Sequence, residues 1–191
     1  VLAIESDFIG SDLNSIHNQK MFAKKRKVKS NTDKMNRLYS VESNLTCSGM
    51  MADHRMKIKP SDVYDFVAEL NNSLLKHGIS GLKKIQVNNT QFKNSEFIKA
   101  LIDDLHKNKA KSIITGGYSL DPSVHSLIYA INQALGNNNS MITYHGLEDA
   151  ILSNENSIQK LIENIKKGKV DTLVVLDIDF YYFFSHYFTS E

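Results

Sequence analysis

The 191-residue sequence has little cysteine, little net charge and no long apolar run. Its one cysteine, Cys47, excludes a disulfide within the chain, and it excludes an iron–sulphur cluster held by this chain alone, because a cluster needs about four thiolates. The 23 Lys and Arg residues against 21 Asp and Glu give a formal charge of +2, which argues against a dedicated nucleic-acid-binding protein. The longest apolar stretch, residues 170–184, is interrupted by aspartates and falls short of the ~18 apolar residues of a membrane span.

What is present is a globular composition, with 41% hydrophobic and 23% charged residues. The length suits one large domain or one domain with an extension. The chain opens directly on the strand-like VLAIESDF and stops at HYFTSE without a cap. We therefore expect a fragment of a longer protein, with any targeting signal upstream.

Apolar residues at three- and four-residue spacing predict four helices after residue 59. The first opens at Pro60 and Ser61, and the second begins near residue 94 and ends in the basic run 107–111. Asp121 can cap the third helix, with Pro122 in its first turn. Glycines predict the ends of the first, third and fourth helices, at Gly78, Gly136 and Gly168.

Strands are predicted between these helices, at residues 112–115, 141–144 and 170–178. Strands that alternate with helices indicate parallel βαβ units, so residues 60–191 are predicted to form a Rossmann-like three-layer α/β domain with a mostly parallel sheet. The three strands should be neighbours in that sheet. Residues 1–59 are predicted to add a strand, a basic helix over residues 15–28 and an irregular packed excursion over residues 36–59.

Candidate cofactor-binding residues follow two predicted strands. Gly116 and Gly117 come at the carboxyl end of a strand and before a helix, where open α/β sheets bind phosphates, and Asp121 caps that helix. Asp179 follows the last predicted strand on the same face as Asp177. The glycine spacing matches neither a dinucleotide fingerprint nor a P-loop, so a tight structural turn is the competing interpretation.

Two other kinds of site have weaker support. Residues 117–121 resemble a hydrolase nucleophile elbow around Ser119, but Asp121 stands where the closing glycine belongs. A hydrolase would need a serine hydroxyl within hydrogen-bond reach of a histidine. The seven histidines show no HxxxH or HxH spacing, so no metal site is predicted from sequence-local ligands.

The charged residues of the first 59 positions form two groups. A basic cluster without an intervening acid could grip phosphates or an acidic partner, although a solvated helix face explains it as well; its members are Lys20, Lys24, Lys25, Arg26, Lys27 and Lys29. Asp53, His54 and Arg55 could do acid–base work or bind an anion. We interpret these three as a structural clasp that anchors a loop, in which Arg55 compensates the charge of Asp53.

Residues 35–61, MNRLYSVESNLTCSGMMADHRMKIKPS, are more specific. With VLAIESDFIGSDL, KAKSIITGGYSLDPSVHSLIYAINQALGN and IENIKKGKVDTLVVLDIDF, they resemble the large iron–sulphur subunit of bacterial alternative complex III, a quinol:cytochrome c or quinol:acceptor oxidoreductase of the variant-translocated molybdopterin oxidoreductase family. Arg37 belongs to residues 35–61, and we count it with Asp53, His54 and Arg55 as a clasp or interface residue.

The resemblance implies a fragment of the part of that subunit that is similar to the catalytic domain of molybdopterin enzymes but carries no molybdenum cofactor. The parent's iron–sulphur clusters would lie in a separate region, C-terminal to this chain. Relatives follow the last strand with a Gly-x-Asn-Pro turn beside the cofactor's nucleotide. Residues 176–180 here read LDIDF, which adds two negative charges where a diphosphate would lie.

The resemblance therefore implies a non-catalytic scaffold in a membrane-associated respiratory complex of the bacterial cell envelope, on the periplasmic side. Its expected partners are other domains and subunits of that complex, without nucleic acid, and this chain is expected to hold no cofactor. The alternative is a nucleotide- or molybdopterin-binding domain of an oxidoreductase, and a free-standing hydrolase is a third hypothesis. Whether the chain is itself an enzyme stays open.

Overall fold

A computed structural model describes residues 1–93, 95–144 and 155–185. The chain divides into two compact units, Val1–Tyr144 and His145–Glu191. The regular elements of the first unit are β1 (Leu2–Ile4), α1 (Ser15–Arg26), β2 (Tyr39–Glu42), α2 (Cys47–Met50), β3 (His54–Lys57), α3 (Val63–Lys76), α4 (Glu96–Lys107), β4 (Ile114–Gly116) and α5 (Pro122–Ala134). The second unit contains α6 (Glu155–Lys166) and α7 (Phe180–Phe184).

The four strands form one parallel sheet in the order β3-β2-β1-β4. In β1, which is central, Leu2, Ala3 and Ile4 are all fully buried, as a strand covered on both faces requires. Leu2 pairs with Tyr39 of β2 on one side and with Ile114 of β4 on the other. An apolar segment thus occupies an inner position of the sheet.

Helices cover both faces of this sheet. Leu2 and Ile4 pack into the larger core with apolar residues of α3, α4 and α5. Ala3, which points to the opposite face, packs with Leu38 and with Phe22 of α1. The predicted Rossmann-like three-layer α/β architecture is confirmed. Its placement in residues 60–191 is not, because three of the four strands lie in residues 1–59 and only β4 lies after residue 60.

The helices predicted after residue 59 all form. A 3₁₀ turn at Pro60–Asp62 leads into α3, and Gly78 follows that helix with φ +83°. Asp121 caps α5 and Pro122 opens it, as predicted, and Gly136 ends it with φ +75°. Within the described residues α6 ends at Lys166, and Gly168 follows it with a left-handed φ of +64°. Local capping chemistry set these boundaries correctly.

The prediction of an irregular segment over residues 36–59 is wrong, because that segment contains β2, α2 and β3. β2 is completely buried, whereas β3 is an edge strand whose His54, Arg55 and Lys57 are exposed. Each strand has only four residues, and one is buried throughout while the other is mostly exposed. Neither therefore shows the apolar–polar alternation by which a strand is recognised in a sequence. The two strands are recognisable only once they pair, with Tyr39 opposite His54.

Residues 141–144 were predicted to form a strand, and this is also wrong. The chain makes a single bridge there, between Asn138 and Ile142. The carbonyl oxygen of Asn137 accepts from the backbone N–H groups of Met141 and Ile142, which turns the segment back on itself. The buried Asn132 also bonds the outward backbone groups of Ile114: Ile114 N donates to Oδ1 at 3.1 Å, and Nδ2 donates to Ile114 O at 2.8 Å. A further strand therefore cannot pair with β4 at Ile114.

The predicted strand at residues 170–178 does not form either. Residues 172–176 have no regular secondary structure, and Leu173, Val174, Val175 and Leu176 are exposed. A β-branched run becomes a strand only when another strand pairs with it, and the described residues of the second unit contain no strand. No helix in the described ranges is long and apolar enough to cross a membrane.

Candidate functional site

The carboxyl ends of β1 and β4 meet where the strand order reverses, which is the place where open α/β sheets bind ligands. After β1 the chain forms β2 on one side of it, whereas β4 lies on the other side. The strand order therefore reverses between β1 and β4. The backbone N–H of Gly117 donates to the carbonyl of Ile4 at 2.9 Å. The predicted Gly116–Gly117 turn thus lies directly against the end of β1.

Close packing requires a glycine at residue 117 and favours a small residue at 116. A Cβ on Gly117 would lie 1.8 Å from the carbonyl oxygen of Glu5, and a Cβ on Gly116 would lie 2.8 Å from Cδ1 of Ile128 in α5. Gly117 also accepts from the N–H of Leu120 at 3.2 Å, which closes a tight turn. These contacts favour the structural interpretation of the pair, and the Gly117 N–H that could have faced a phosphate is already bonded.

Asp121 satisfies the N-terminus of α5. Its carboxylate accepts from the N–H of Ser123 at 2.8 Å, and its carbonyl accepts from Val124 and His125. Pro122 has no N–H to offer. Hydrogen bonds from Ser123 lower the pKa of Asp121 below its ordinary value, so the carboxylate is charged at neutral pH. A negative group of the protein therefore stands where a helix N-terminus would otherwise attract an anion.

A cleft of about 580 Å³ opens at this end of the sheet. Glu5 and Asp121 give it two acidic groups, and Ser43, Tyr64 and Ser119 add hydroxyls. Glu5 has a left-handed φ of +49°, which is uncommon for a residue with a side chain. Its Oε2 accepts from the Ser43 hydroxyl at 3.0 Å, and its buried Oε1 has no hydrogen-bond partner among the described residues. The cleft thus combines acidic and hydroxyl groups with apolar walls from residues such as Val63 and Leu120.

Asp179, the fourth candidate cofactor residue, belongs to the second unit. Its carboxylate accepts from the N–H of Tyr182 at 2.9 Å and caps the short helix α7. Asp177, two residues before, has a left-handed φ of +54°. Within its own unit Asp179 therefore has a local capping contact of the same kind as Asp121.

The predicted clasp residues contact other parts of the fold, but they do not pair with each other. Asp53 pairs with Arg26 of α1 through two hydrogen bonds, Nη1 to Oδ2 at 2.7 Å and Nη2 to Oδ1 at 2.9 Å. Asp53 Oδ2 also accepts from the N–H of Leu38 at 2.8 Å, and Arg26 Nη1 donates to the carbonyl of Asn36. The Arg26 guanidinium is the main cause that lowers the pKa of Asp53 to about 2. This contact joins α1 to the start of β2.

Arg55 pairs with Glu42, and our expectation that it balances Asp53 is wrong. Its Nε donates to Glu42 Oε1 at 2.5 Å, across neighbouring strands. The Glu42 side chain is only 2% exposed, and its Oε2 accepts from the Thr46 hydroxyl at 2.6 Å. A Cβ on Gly49 would lie 1.8 Å from Oε1. Glu42 is thus a buried carboxylate that holds β2, β3 and α2 together.

Arg37 and His54 both lie near Tyr39: Arg37 bonds the same carboxylate as Tyr39, and His54 contacts the Tyr39 ring. Arg37 Nη1 and the Tyr39 hydroxyl donate to Asp104 Oδ2 of α4, at 2.5 and 2.6 Å. Burial, followed by the bond to Asp104, raises the pKa of Tyr39 to about 12. Burial alone would raise the pKa of Asp104, but bonds from Tyr39 and Arg37 lower it. The His54 ring stacks on Tyr39 with centroids 4.6 Å apart.

Sequence reasoning did not identify Glu5, Glu42 or Asp104 as parts of these groups. Glu5 had a usable signal, because it is the first acidic residue after a predicted buried strand. Glu42 reads as an ordinary polar residue until β2 pairs with β3. Asp104 lies 65 residues from Tyr39, so only the folded chain brings them together.

Metal binding and serine hydrolysis both lack support among the described residues. The described ranges contain no group of three or more His, Cys, Asp or Glu that could hold a metal ion. Ser119 makes no hydrogen bond to a histidine ring within the described part of the chain, and the Asp121 carboxylate beside it is used as a helix cap.

No protein-family model matches the sequence, and no curated protein matches it.

Proposed function

We propose that this chain is a non-catalytic scaffold part of a molybdopterin-oxidoreductase-like subunit in a membrane-associated, quinol-oxidising respiratory complex. The complex would lie in the bacterial cell envelope, on the periplasmic side. The chain would carry no metal cofactor, and the iron–sulphur clusters would lie elsewhere in the parent protein. The resemblance of residues 35–61 supports the class of complex.

The observation that carries the scaffold role is the hydrogen bond from Ser123 N–H to the Asp121 carboxylate. In nucleotide-binding sheets of this topology, the helix N-terminus after the strand holds a phosphate. Here a carboxylate of the chain takes that position, and Glu5 adds a second acidic group to the same cleft. Two negative groups disfavour a diphosphate by charge repulsion and by occupying its donors.

The residues of the resembling motif support the same proposal. Arg37 contacts α4 through Asp104, and Arg55 contacts β2 through Glu42. Asp53 contacts α1 through Arg26. Arg37, Asp53 and Arg55 thus each join two elements of the sheet and its covering helices, which is the arrangement of a structural framework.

A nucleotide- or molybdopterin-binding domain is the second candidate. The position of the cleft favours it, because about 580 Å³ at the switch point is large enough for a small ligand. On this alternative Asp121 would line the ligand, whereas Gly116 and Gly117 are not among the residues that line the cleft. The hydrogen bonds already made by Gly117 and Asp121 count against it.

The test uses the parent subunit, tagged in a bacterium that carries it and purified from membranes. We expect it to co-purify with quinol-oxidising activity. Arg55→Ala should lower the amount of assembled complex while the turnover per assembled complex is unchanged, because Arg55 supports the fold and touches no reactant. Arg37→Ala, which removes an exposed ion pair, is the matched control and should lower assembly less. A tagged subunit without such activity, or a lower turnover per complex in Arg55→Ala, would contradict the proposal.

A further inference from the structure

The cleft at the carboxyl ends of β1 and β4 carries charge of one sign only. Glu5 and Asp121 are the charged residues among the described residues that line it, and none of these is Lys, Arg or His. Because no cation of the chain lies in the wall, the two carboxylates give the cleft a negative potential, which the formal charge of +2 for the whole chain hides. The cleft therefore favours a positively charged ligand.

The Glu5 carboxylate is held firmly and is only partly compensated. The Glu5 N–H donates to the carbonyl of Val41 at 2.8 Å, and Gly117 packs against the Glu5 carbonyl. Glu5 Oε2 accepts from the Ser43 hydroxyl at 3.0 Å, a neutral donor, whereas the buried Oε1 has no hydrogen-bond partner among the described residues. A buried carboxylate oxygen without a donor costs free energy, so a charged donor from outside the chain would stabilise Glu5.

Hydroxyl groups line the cleft together with the two carboxylates. The side chains of Ser61, Tyr64 and Ser119 make no hydrogen bond within the part of the chain that the structure describes. The Ser43 hydroxyl donates to Glu5, and its oxygen can still accept. Because a hydroxyl both donates and accepts, these groups match the hydroxyls of a polyhydroxylated ligand.

Neither a bare metal ion nor an anion suits this cleft. Its volume of about 580 Å³ lies in the range of small-molecule sites. Within residues 1–93, 95–144 and 155–185 there is no group of three or more His, Cys, Asp or Glu that could hold a metal ion. An anion would meet two carboxylates, and Asp121 already bonds the N-terminus of α5. An organic cation fits the volume and the charge together.

We propose that this cleft binds a small polyhydroxylated amine of about the size of an amino sugar. The ligand's ammonium group lies against the Glu5 carboxylate, where a small rotation about the last side-chain torsion lets Oε1 accept one of its hydrogens. Asp121 adds charge attraction, and the hydroxyls of Ser61, Tyr64 and Ser119 bond the ligand's hydroxyls. This inference rests on the cleft of the first unit alone and does not depend on the proposed respiratory role.

Isothermal titration of the 191-residue chain with D-glucosamine tests this binding, at low salt and about pH 6, where the sugar's amine is protonated. We expect a Kd below ~1 mM. D-Glucose has the same ring with a hydroxyl in place of the ammonium group, and it should bind at least about tenfold more weakly. Magnesium chloride alone should give no binding heat.

Glu5→Gln keeps the shape of the side chain and should weaken glucosamine binding at least about tenfold. Asp121→Asn keeps a capping residue and should weaken it about threefold. The control is Asp103→Asn, which removes the same charge from an exposed carboxylate of α4 and should bind like the parent chain. Circular dichroism should show all variants folded.

Three results would overturn the proposal. The first is no binding of glucosamine, or binding equal to that of glucose. The second is an equal loss of affinity in Asp103→Asn and in the two cleft variants. The third is tighter binding of Mg²⁺ than of glucosamine, which would make the cleft a metal site.

Discussion

Arg26 of α1 and Asp53 before β3 form a bidentate ion pair, with side chains 21% and 25% exposed. The pair joins residues 27 positions apart and fixes the helix that covers one face of the sheet. Because two parallel N–H to O bonds restrict geometry as well as charge, this contact is stronger than an ordinary surface pair.

Asp53→Asn tests that contact, since the amide keeps the shape and loses the charge. The pKa of Asp53 is lowered to about 2, so its contribution is present above the ordinary carboxyl pKa near 4 and is lost as the pH falls through about 2. We expect the variant to lose about 1 to 2 kcal/mol at pH 7, with solvent screening included.

The measurement is urea unfolding of parent and variant between pH 7 and ~2, where the difference should shrink. Asp103→Asn is the control, because Asp103 is an exposed carboxylate on α4. A difference that stays constant over the acid range would show that Asp53 does not act through its charge.

Arg55→Ala should destabilise the fold by about 2 to 3 kcal/mol, because it leaves the buried Glu42 without its cation. The exposed pair of Arg37 and Asp104 makes Arg37→Ala a matched control, with an expected loss below about 1 kcal/mol. Glu42→Gln in the Arg55→Ala background should recover part of the stability, since no buried charge then remains. Equal losses for the two arginines in urea unfolding would argue against a buried pair.

Gly117→Ala should cost more stability than Gly116→Ala. The new Cβ at residue 117 would meet the backbone oxygen of Glu5 at 1.8 Å, which cannot move without breaking the end of β1. At residue 116 it would meet the movable ends of Ile128 and Leu120. We expect losses of about 3 kcal/mol and about 1 kcal/mol in urea unfolding. The reverse order would mean that Gly117 is not confined by β1.

The helices could be predicted from sequence, and most of the sheet could not. The caps of α3 and α5 use residues adjacent to each helix, such as Asp121 and Pro122, so the signal is local. The strands β2 and β3 have four residues each and opposite burial, which gives no period to detect. Asn132 blocks pairing at Ile114 through a contact over 18 residues, and no local pattern announces that.

Around the candidate residues, the local turn and cap could be predicted from the sequence, but the long-range partners could not. The sequence correctly indicated a tight turn at Gly116 and Gly117 and a cap at Asp121, because both follow from residue type. It assigned Arg55 to Asp53 because they are close in sequence. In the fold, Asp53 lies just before β3 and bonds Arg26 of α1, whereas Arg55 of β3 bonds Glu42 on the neighbouring strand β2. Both partners are distant in sequence, so only the folded chain reveals them.

The purified chain is expected to contain neither iron nor molybdenum in stoichiometric amount. A single thiol, Cys47, cannot hold an iron–sulphur cluster. The measurement is elemental analysis by mass spectrometry together with the visible absorption spectrum. Iron in stoichiometric amount with a matching visible band would contradict this prediction, because this chain has one thiol and a cluster needs about four.

The most direct measurement is isothermal titration of the purified chain with guanosine diphosphate, which carries the diphosphate of a molybdopterin dinucleotide. Because the Asp121 carboxylate bonds the N-terminus of α5 and Glu5 faces the same cleft, we expect no binding up to ~1 mM. Asp121→Ser removes one of the two negative groups and keeps a capping residue, so it should not bind less than the parent. Stoichiometric binding to the parent chain with a Kd of ~10 μM, abolished by Asp121→Ser, would contradict the scaffold role and establish a nucleotide site.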